Sequence, residues 1–287
     1  MHVRVAAVQP RSWIETDEVR NAEESQNWLR RAAAVGAELI VFPEGYPGPA
    51  NPRNQYDAIA PLAELAAQLG VHVIASRIEP ARGGHHMCLY LVDDHGQTVG
   101  VHRRTTPVGP YIYQDISAWG FDYVSSNQPP QVYETKLGRI GMLVCSEVFV
   151  PELSRVLAVS GADIIAFPSG GAINELMPSW KTMVWARAIE NLVYTIAVQN
   201  LYTELEEGVG MIAAPETILA QSSGQGLAMA ELDFERLRFL RQEDERVEFP
   251  KRYRTIPGVM RWRNPALYTD LLATETVADV LPGSRSS

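Results

Sequence analysis

Two apolar runs, residues 39–42 (Leu-Ile-Val-Phe) and 163–167 (Asp-Ile-Ile-Ala-Phe), stop abruptly at proline-glycine turns, Pro43-Glu44-Gly45 and Pro168-Ser169-Gly170-Gly171. Runs this short, β-branched and without alternation, read as strands covered on both faces. A chain that carries such strands must also supply the layers that cover them. Segments of helical spacing lie between the runs, the pattern of a mixed sheet packed under helices, so the class is α/β.

The rest of the chain fits this frame. A first strand at 3–8 leads to a helix capped by Thr16 or Asp17, whose apolar face uses Val19, Ala22, Leu29, Ala32 and Ala33 and which ends at Gly36. A helix at 59–69 passes through Gly70 into a strand at 71–75, and residues 88–92 and 97–101 form a hairpin around Asp93-Asp94-His95-Gly96. A second hairpin, 131–135 and 139–144, runs straight into Cys145, and Pro151 opens a helix at its favoured first position. A helix at 179–192 precedes a strand at 194–199. Runs at 211–213, 217–220 and 227–232 read as edge strands before a charged helix near 234–240. Residues 105–130 form a long aromatic segment with little periodicity, as in binding loops or lids. The domain is placed at 1–245, and 246–287, rich in arginine and proline, reads as an arm.

Composition excludes several classes of function. The 287 residues carry 25 lysines and arginines against 34 aspartates and glutamates, a formal net charge of −9 that repels polyphosphate, so nucleic acid is not an expected partner. No run reaches the length of a membrane span, and the N-terminal segment lacks a secretory pattern. Two cysteines, Cys88 and Cys145, suit a reducing compartment, and a cytoplasmic location is expected. The six histidines, His2, His72, His85, His86, His95 and His102, show no zinc spacing, with His85 and His86 expected in a solvated loop. No glycine-rich phosphate loop follows a strand, so neither a metal nor a nucleotide cofactor is expected.

Chemistry concentrates at strand ends. Cys145 stands where a buried strand meets a helix start, where backbone N–H groups favour a thiolate and an oxyanion alike. It is either a nucleophile or a buried structural thiol. Cys88 alternates within an apolar strand and reads as core. Glu44 closes the 39–42 run, as a desolvated general base or as a turn cap.

Three ordered segments carry a resemblance. Residues 37–45 (Ala-Glu-Leu-Ile-Val-Phe-Pro-Glu-Gly), 138–155 (Gly-Arg-Ile-Gly-Met-Leu-Val-Cys-Ser-Glu-Val-Phe-Val-Pro-Glu-Leu-Ser-Arg) and 187–191 (Arg-Ala-Ile-Glu-Asn), with the basic pair Arg103-Arg104 after a hairpin, are similar to the nitrilase superfamily of carbon-nitrogen hydrolases. Residues 161–169, Asn200 and 226–233 extend the likeness over nearly the whole chain. The resemblance implies a four-layer αββα sandwich that forms a homodimer or higher homo-oligomer, with the arm packing on a partner subunit.

It also implies a glutamate base at Glu44 and a cysteine nucleophile at Cys145. The family's catalytic lysine position is occupied here by Arg104, and the loop that often carries a second glutamate offers only Asp115 and Asp122. Lysine is scarce throughout, limited to Lys136, Lys181 and Lys251. By the same resemblance Glu147, Ser169 and Gly170 line the substrate site, and Tyr111, Tyr113, Trp119 and Trp180 form an aromatic wall or pack in the core. The implied activity is hydrolysis of a small amide through a thioester, without cofactor. A nitrilase and a catalytically silent binder of a small amide or a protein are the alternatives, the missing lysine motivating the last.

Overall fold

Period-two alternation sorts the strand residues between a shared interior and two outer layers. The computed structural model describes residues 1–106, 123–171, 177–203, 207–241 and 264–267. Strands β1 (His2–Gln9), β2 (Leu39–Val41), β3 (His72–Ala81), β4 (Gly84–Val92), β5 (Thr98–Arg103) and β12 (Gly226–Asp233) form one six-stranded sheet in the order β12-β1-β2-β3-β4-β5. The second sheet runs β11-β10-β9-β8-β7-β6, from β6 (Val132–Thr135), β7 (Gly138–Met142), β8 (Ile164–Gly171), β9 (Tyr194–Asn200), β10 (Gly210–Ala213) and β11 (Ile218–Ser222).

The two sheets share one internal pattern. In each, an antiparallel edge strand precedes three parallel strands, β1-β2-β3 or β7-β8-β9, and two antiparallel strands follow. Val5, Ala7, Leu39, Val41, Leu89, Ile140, Met142, Ile164, Ile196 and Val198 meet between the sheets. Their alternating neighbours Ala6, Val8, Ile40, Phe42, Val73 and Ala75 face helices α1 (Arg20–Ala34) and α2 (Ile59–Leu69) through Trp28, Leu29, Leu62 and Leu65. On the far side, Ile165, Phe167, Ala197 and Met211 pack with Leu157 of α3 (Pro151–Val159) and Trp180 and Val184 of α4 (Met177–Asn191). This is the four-layer αββα arrangement; a fifth helix, α5 (Phe234–Arg241), closes the inter-sheet edge through Phe234 and Leu237.

Several local expectations are corrected. The first helix starts at Arg20, after a 3-10 turn at Glu15–Asp17, so neither Thr16 nor Asp17 caps it; Val19 is its N-cap residue and 52% exposed. Trp28, not Val19, completes the apolar face. β3 extends to Ala81 and turns back at Arg82-Gly83 into β4, so His85 and His86 sit half-buried in a strand rather than in a solvated loop. β8 does not break at Pro168, because Ser169 and Gly171 still pair with β9 through an irregular register. β10 lies inside its sheet, leaving β11 and β12 as edges. Tyr111, Tyr113, Trp119, Asp115, Asp122 and nearly all of the arm lie outside the described residues.

Leu89 is fully buried between the sheets, whereas Leu267 is 71% exposed. Truncating a buried leucine removes transfer energy and leaves a cavity. Leu89→Ala is therefore expected to cost about 2–5 kcal/mol in urea unfolding, and Leu267→Ala under about 0.5 kcal/mol.

Candidate active site

The carboxyl ends of the parallel strands in a twisted sheet open a crevice into which loop residues project. Here the ends of β2, β7, β8 and β9 meet, with the end of β5 beside them. Glu44 follows β2, Arg104 follows β5, Cys145 follows β7, Gly170 closes β8 and Asn200 closes β9.

Each side chain is aimed by backbone bonding nearby. Glu44 donates its N–H to the Ser169 carbonyl (3.3 Å), and its own carbonyl accepts from Asn200 Nδ2 (2.7 Å). Asn200 is held in turn by the Ser12 hydroxyl (2.5 Å). Arg104 extends the β4 pairing, donating its N–H to the Met87 carbonyl (3.0 Å) and accepting from Ser126 N–H (2.7 Å). Alternation along β5 sends Arg103 outward to Glu79 (2.6 Å) and turns His102 and Arg104 toward the second sheet. Cys145 opens a 3-10 turn, Cys145–Phe149, with φ +44°, a left-handed conformation that costs a non-glycine residue energy and is enriched at functional sites.

Three groups converge. Arg104 Nη1 donates to Glu44 Oε1 at 2.9 Å, in an ion pair whose side chains are only 3% and 11% exposed. Its Nη2 donates to the Ser146 hydroxyl, and its Nε is buried with no acceptor among the described residues. The Cys145 thiol is within hydrogen-bonding reach of Glu44, and the Gly170 N–H donates to it. Burial first, and then the Glu44 charge, push the thiol up to about 12 against the opposing pull of Arg104 and the Gly170 N–H. Burial alone would loosen the Arg104 proton, but Glu44, Cys145 and Glu147 hold it above the already high guanidinium value. At rest the site therefore holds a neutral thiol beside a guanidinium that is paired with Glu44.

Glu147 occupies a different place from the substrate-lining one expected of it. It is fully buried, and both of its oxygens are taken: Oε1 accepts from Thr105 N–H (2.7 Å) and Thr105 Oγ1 (2.6 Å), while Oε2 bonds His102 Nε2 (2.7 Å) and accepts from Val144 N–H (2.6 Å). Burial would raise its pKa, but the His102, Thr105 and Val144 bonds hold it below the usual carboxylate value. It is a clamp between residues 102–105 and the cysteine turn, with no oxygen left for a substrate.

Ser169 is likewise fully buried and turns its hydroxyl onto the Phe167 carbonyl (3.1 Å); what it offers the site is the backbone carbonyl that seats Glu44. At Gly170 a Cβ would stand 3.2 Å from Glu44 Oε2, so glycine leaves room for the carboxylate. Trp180 lies in the outer apolar cluster with Phe167 and Val184, a core position rather than a wall of the crevice.

Sequence reasoning missed His102, Ser146 and Tyr123. The i, i+2 spacing of His102 and Arg104 on β5 is the signal that could have paired them. Tyr123 donates to the Ala50 carbonyl (3.2 Å), and burial, with the Glu44 charge next, raises its phenol. Among the described residues no three His, Cys, Asp or Glu side chains gather as a metal site, and no helix is long and apolar enough to cross a membrane.

With this geometry in place, the comparison with known proteins is direct: the carbon-nitrogen hydrolase profile matches residues 4–242. The chain belongs to the carbon-nitrogen hydrolase family. Among its relatives, N-carbamoylputrescine amidase of Arabidopsis thaliana is 24% identical, with 89% of this chain and 91% of that one aligned. Deaminated glutathione amidase of Homo sapiens is 28% identical over 89% of this chain and 81% of its own. A carbon-nitrogen hydrolase from Helicobacter pylori superposes with a TM-score of 0.79 at 22% identity, covering 95% of this chain and 99% of its own. An amidase from Nesterenkonia sp. superposes with a TM-score of 0.70 at 23% identity, covering 85% and 93%. These hydrolases share the sandwich.

The Glu147 clamp carries a pH signature. Its folded pKa lies below the unfolded value, so the stability it contributes is complete above the ordinary carboxylate range and is lost as pH falls through the depressed value. Glu147→Gln is expected to cost about 3 kcal/mol at neutral pH, because buried donors lose an ionised acceptor. Urea midpoints measured from neutral to acid should also fall less steeply in the variant than in the wild type.

Proposed function

We propose that the protein is a cysteine-dependent amidohydrolase acting on a non-peptide carbon-nitrogen bond of a small amide. The observation that carries this reading is the buried convergence of Glu44, Arg104 and Cys145 at the strand ends. Support comes from the family membership and from curated relatives named as amidases. A nitrile substrate has no such support among those names.

In the proposed cycle the resting thiol, pushed up to about 12, does not ionise unaided at neutral pH. Glu44 takes its proton as the sulfur adds to the amide carbon, and the carbonyl π electrons move onto oxygen. The Arg104 charge and backbone N–H groups of the cysteine turn stabilise that oxyanion. As the C–N bond breaks, Glu44 returns the proton to the departing nitrogen, leaving a thioester and ammonia or an amine. A water then gives its proton to Glu44 and adds to the thioester; the C–S bond breaks, and sulfur recovers the proton. Arginine can fill the charge-stabilising part of the family lysine's position, since its planar fork supplies several donors. It cannot give up a proton, so every transfer in the cycle runs through Glu44.

The same reading takes residues 1–245 as the hydrolase domain and 246–287 as an arm that packs on a partner subunit of a homodimer. The family match ending at residue 242 supports the boundary. Two free cysteines, Cys88 and Cys145, support a reducing, cytoplasmic setting.

Ammonia release from aliphatic, aromatic and carbamoyl amides, with nitriles alongside, tests the reaction. Wild type is expected to hydrolyse at least one amide, Cys145→Ala none, and Glu44→Gln to lose about a hundredfold to ten-thousandfold in kcat. Equal turnover by wild type and Cys145→Ala would overturn the proposal.

A further inference from the structure

A guanidinium has five N–H donors and no acceptor, and it is planar, so one acceptor fixes its position while a second fixes its plane. Glu44 supplies the first acceptor for Arg104, at Nη1. The second, at Nη2, is the hydroxyl of Ser146, the residue directly after Cys145. With both arms engaged, Nε is left buried and without an acceptor among the described residues. Residues 102–105 thus meet the cysteine turn at three rungs: His102 with Glu147, Arg104 with Ser146, and Thr105 with Glu147. Among the described residues, only the Ser146 rung involves a group, Arg104, that also touches Glu44.

We propose that Ser146 is a positioning residue for Arg104: its hydroxyl locks the guanidinium plane beside the nucleophile, keeping one arm on Glu44 and Nε available as a donor that the resting site does not use. The proposal rests on the role given to Arg104 above and extends it to the residue that makes an arginine workable there. A lysine ammonium is a point charge with freely rotating donors and has no plane to fix, so a hydroxyl at 146 answers a need specific to arginine. A neutral acceptor also suits the charge balance. The carboxylate of Glu44 and the guanidinium offset each other, and an acid at 146 would set another negative charge against both the thiolate and the oxyanion.

The test uses the thiol as its reporter and needs no substrate. The groups acting on Cys145 are Glu44 after β2, Arg104 after β5 and the Gly170 N–H at the end of β8; Glu147 and Tyr123 act on Arg104. Iodoacetamide alkylation is followed against pH in the full-length chain and read at Cys145 by peptide mass, which separates it from buried Cys88. If Ser146 holds the guanidinium, Ser146→Ala lets it swing away from the sulfur. Alkylation at neutral pH then slows about tenfold, equivalent to an upward shift of about one pH unit. Ser146→Thr, which keeps the hydroxyl, stays within about twofold of wild type on the same thiolate scale. In an Arg104→Lys background, adding Ser146→Ala produces no further change.

A Ser146→Ala profile that superimposes on wild type overturns the proposal, as does equal slowing in the Arg104→Lys background, which would give Ser146 a role independent of the guanidinium. A wild-type chain that hydrolyses no amide, while Ser146→Ala still slows alkylation, overturns the reaction proposed above and supports the positioning role.

Discussion

The site's geometry depends on one fully buried carboxylate, Glu147. Glu147 collects four hydrogen bonds from Val144, His102 and Thr105, and in doing so joins the end of β5 in one sheet to the turn after β7 in the other. An ionised group taken out of water costs several kcal/mol unless its partners are complete, and here they are complete. The requirement works in both directions. Because Glu147 needs these donors, residues 102–105 and 144–147 cannot drift apart, and Arg104 and Cys145 ride on those two segments. Cys145, held at φ +44°, keeps its strained backbone because the turn around it is pinned on both sides.

The doubled topology explains why so many functional groups meet at one edge. Each sheet has three parallel strands with carboxyl ends on the same side, and stacking two such sheets brings the two sets of ends together. Corresponding positions then receive different duties. The end of β2 carries Glu44, whereas its counterpart β8 carries no ionisable side chain at that end, offering the Ser169 carbonyl and the Gly170 N–H instead. The same backbone device thus provides Glu44 in one sheet and its cradle in the other. Asn200, closing β9, fastens Glu44 across the sheets through its backbone carbonyl.

Much of this was legible in the sequence because the strands covered on both faces leave a local trace. Residues 39–42 and 163–167 stand out as apolar runs, and the turns that end them place Glu44 and Gly170 at carboxyl termini. Gly36 and Gly70 mark helix ends because both adopt positive φ, +88° and +68°. The hidden part depends on partners far away in the chain. Glu147 reads as a site carboxylate from its place two residues after the cysteine, and only its bond to His102, 45 positions earlier, reveals a clamp. Ser169 reads as a turn residue after a proline, yet cross-strand pairing with Gln199 carries β8 past Pro168. Trp180 could be assigned neither to core nor to crevice by periodicity alone, because a helix turns apolar residues toward whichever layer it happens to cover.

The charge arrangement gives the cluster its character. In the proposed cycle a thiol raised by burial first and by Glu44 next reacts only when its proton has somewhere to go, and Glu44 is also the group that accepts that proton. In that cycle the guanidinium changes partner as the proton moves. At rest it is paired with Glu44; in the proposed cycle the transfer of the thiol proton to Glu44 releases that pairing and leaves the full positive charge for the negative charge that develops at the substrate. In the proposed cycle, proton transfer and oxyanion stabilisation are therefore coupled through one ion pair, and neither needs the arginine to lose a proton. On the proposed reading, in which Arg104 takes the place of the family lysine, that coupling makes an arginine workable there, provided its plane is held while its partner's charge changes.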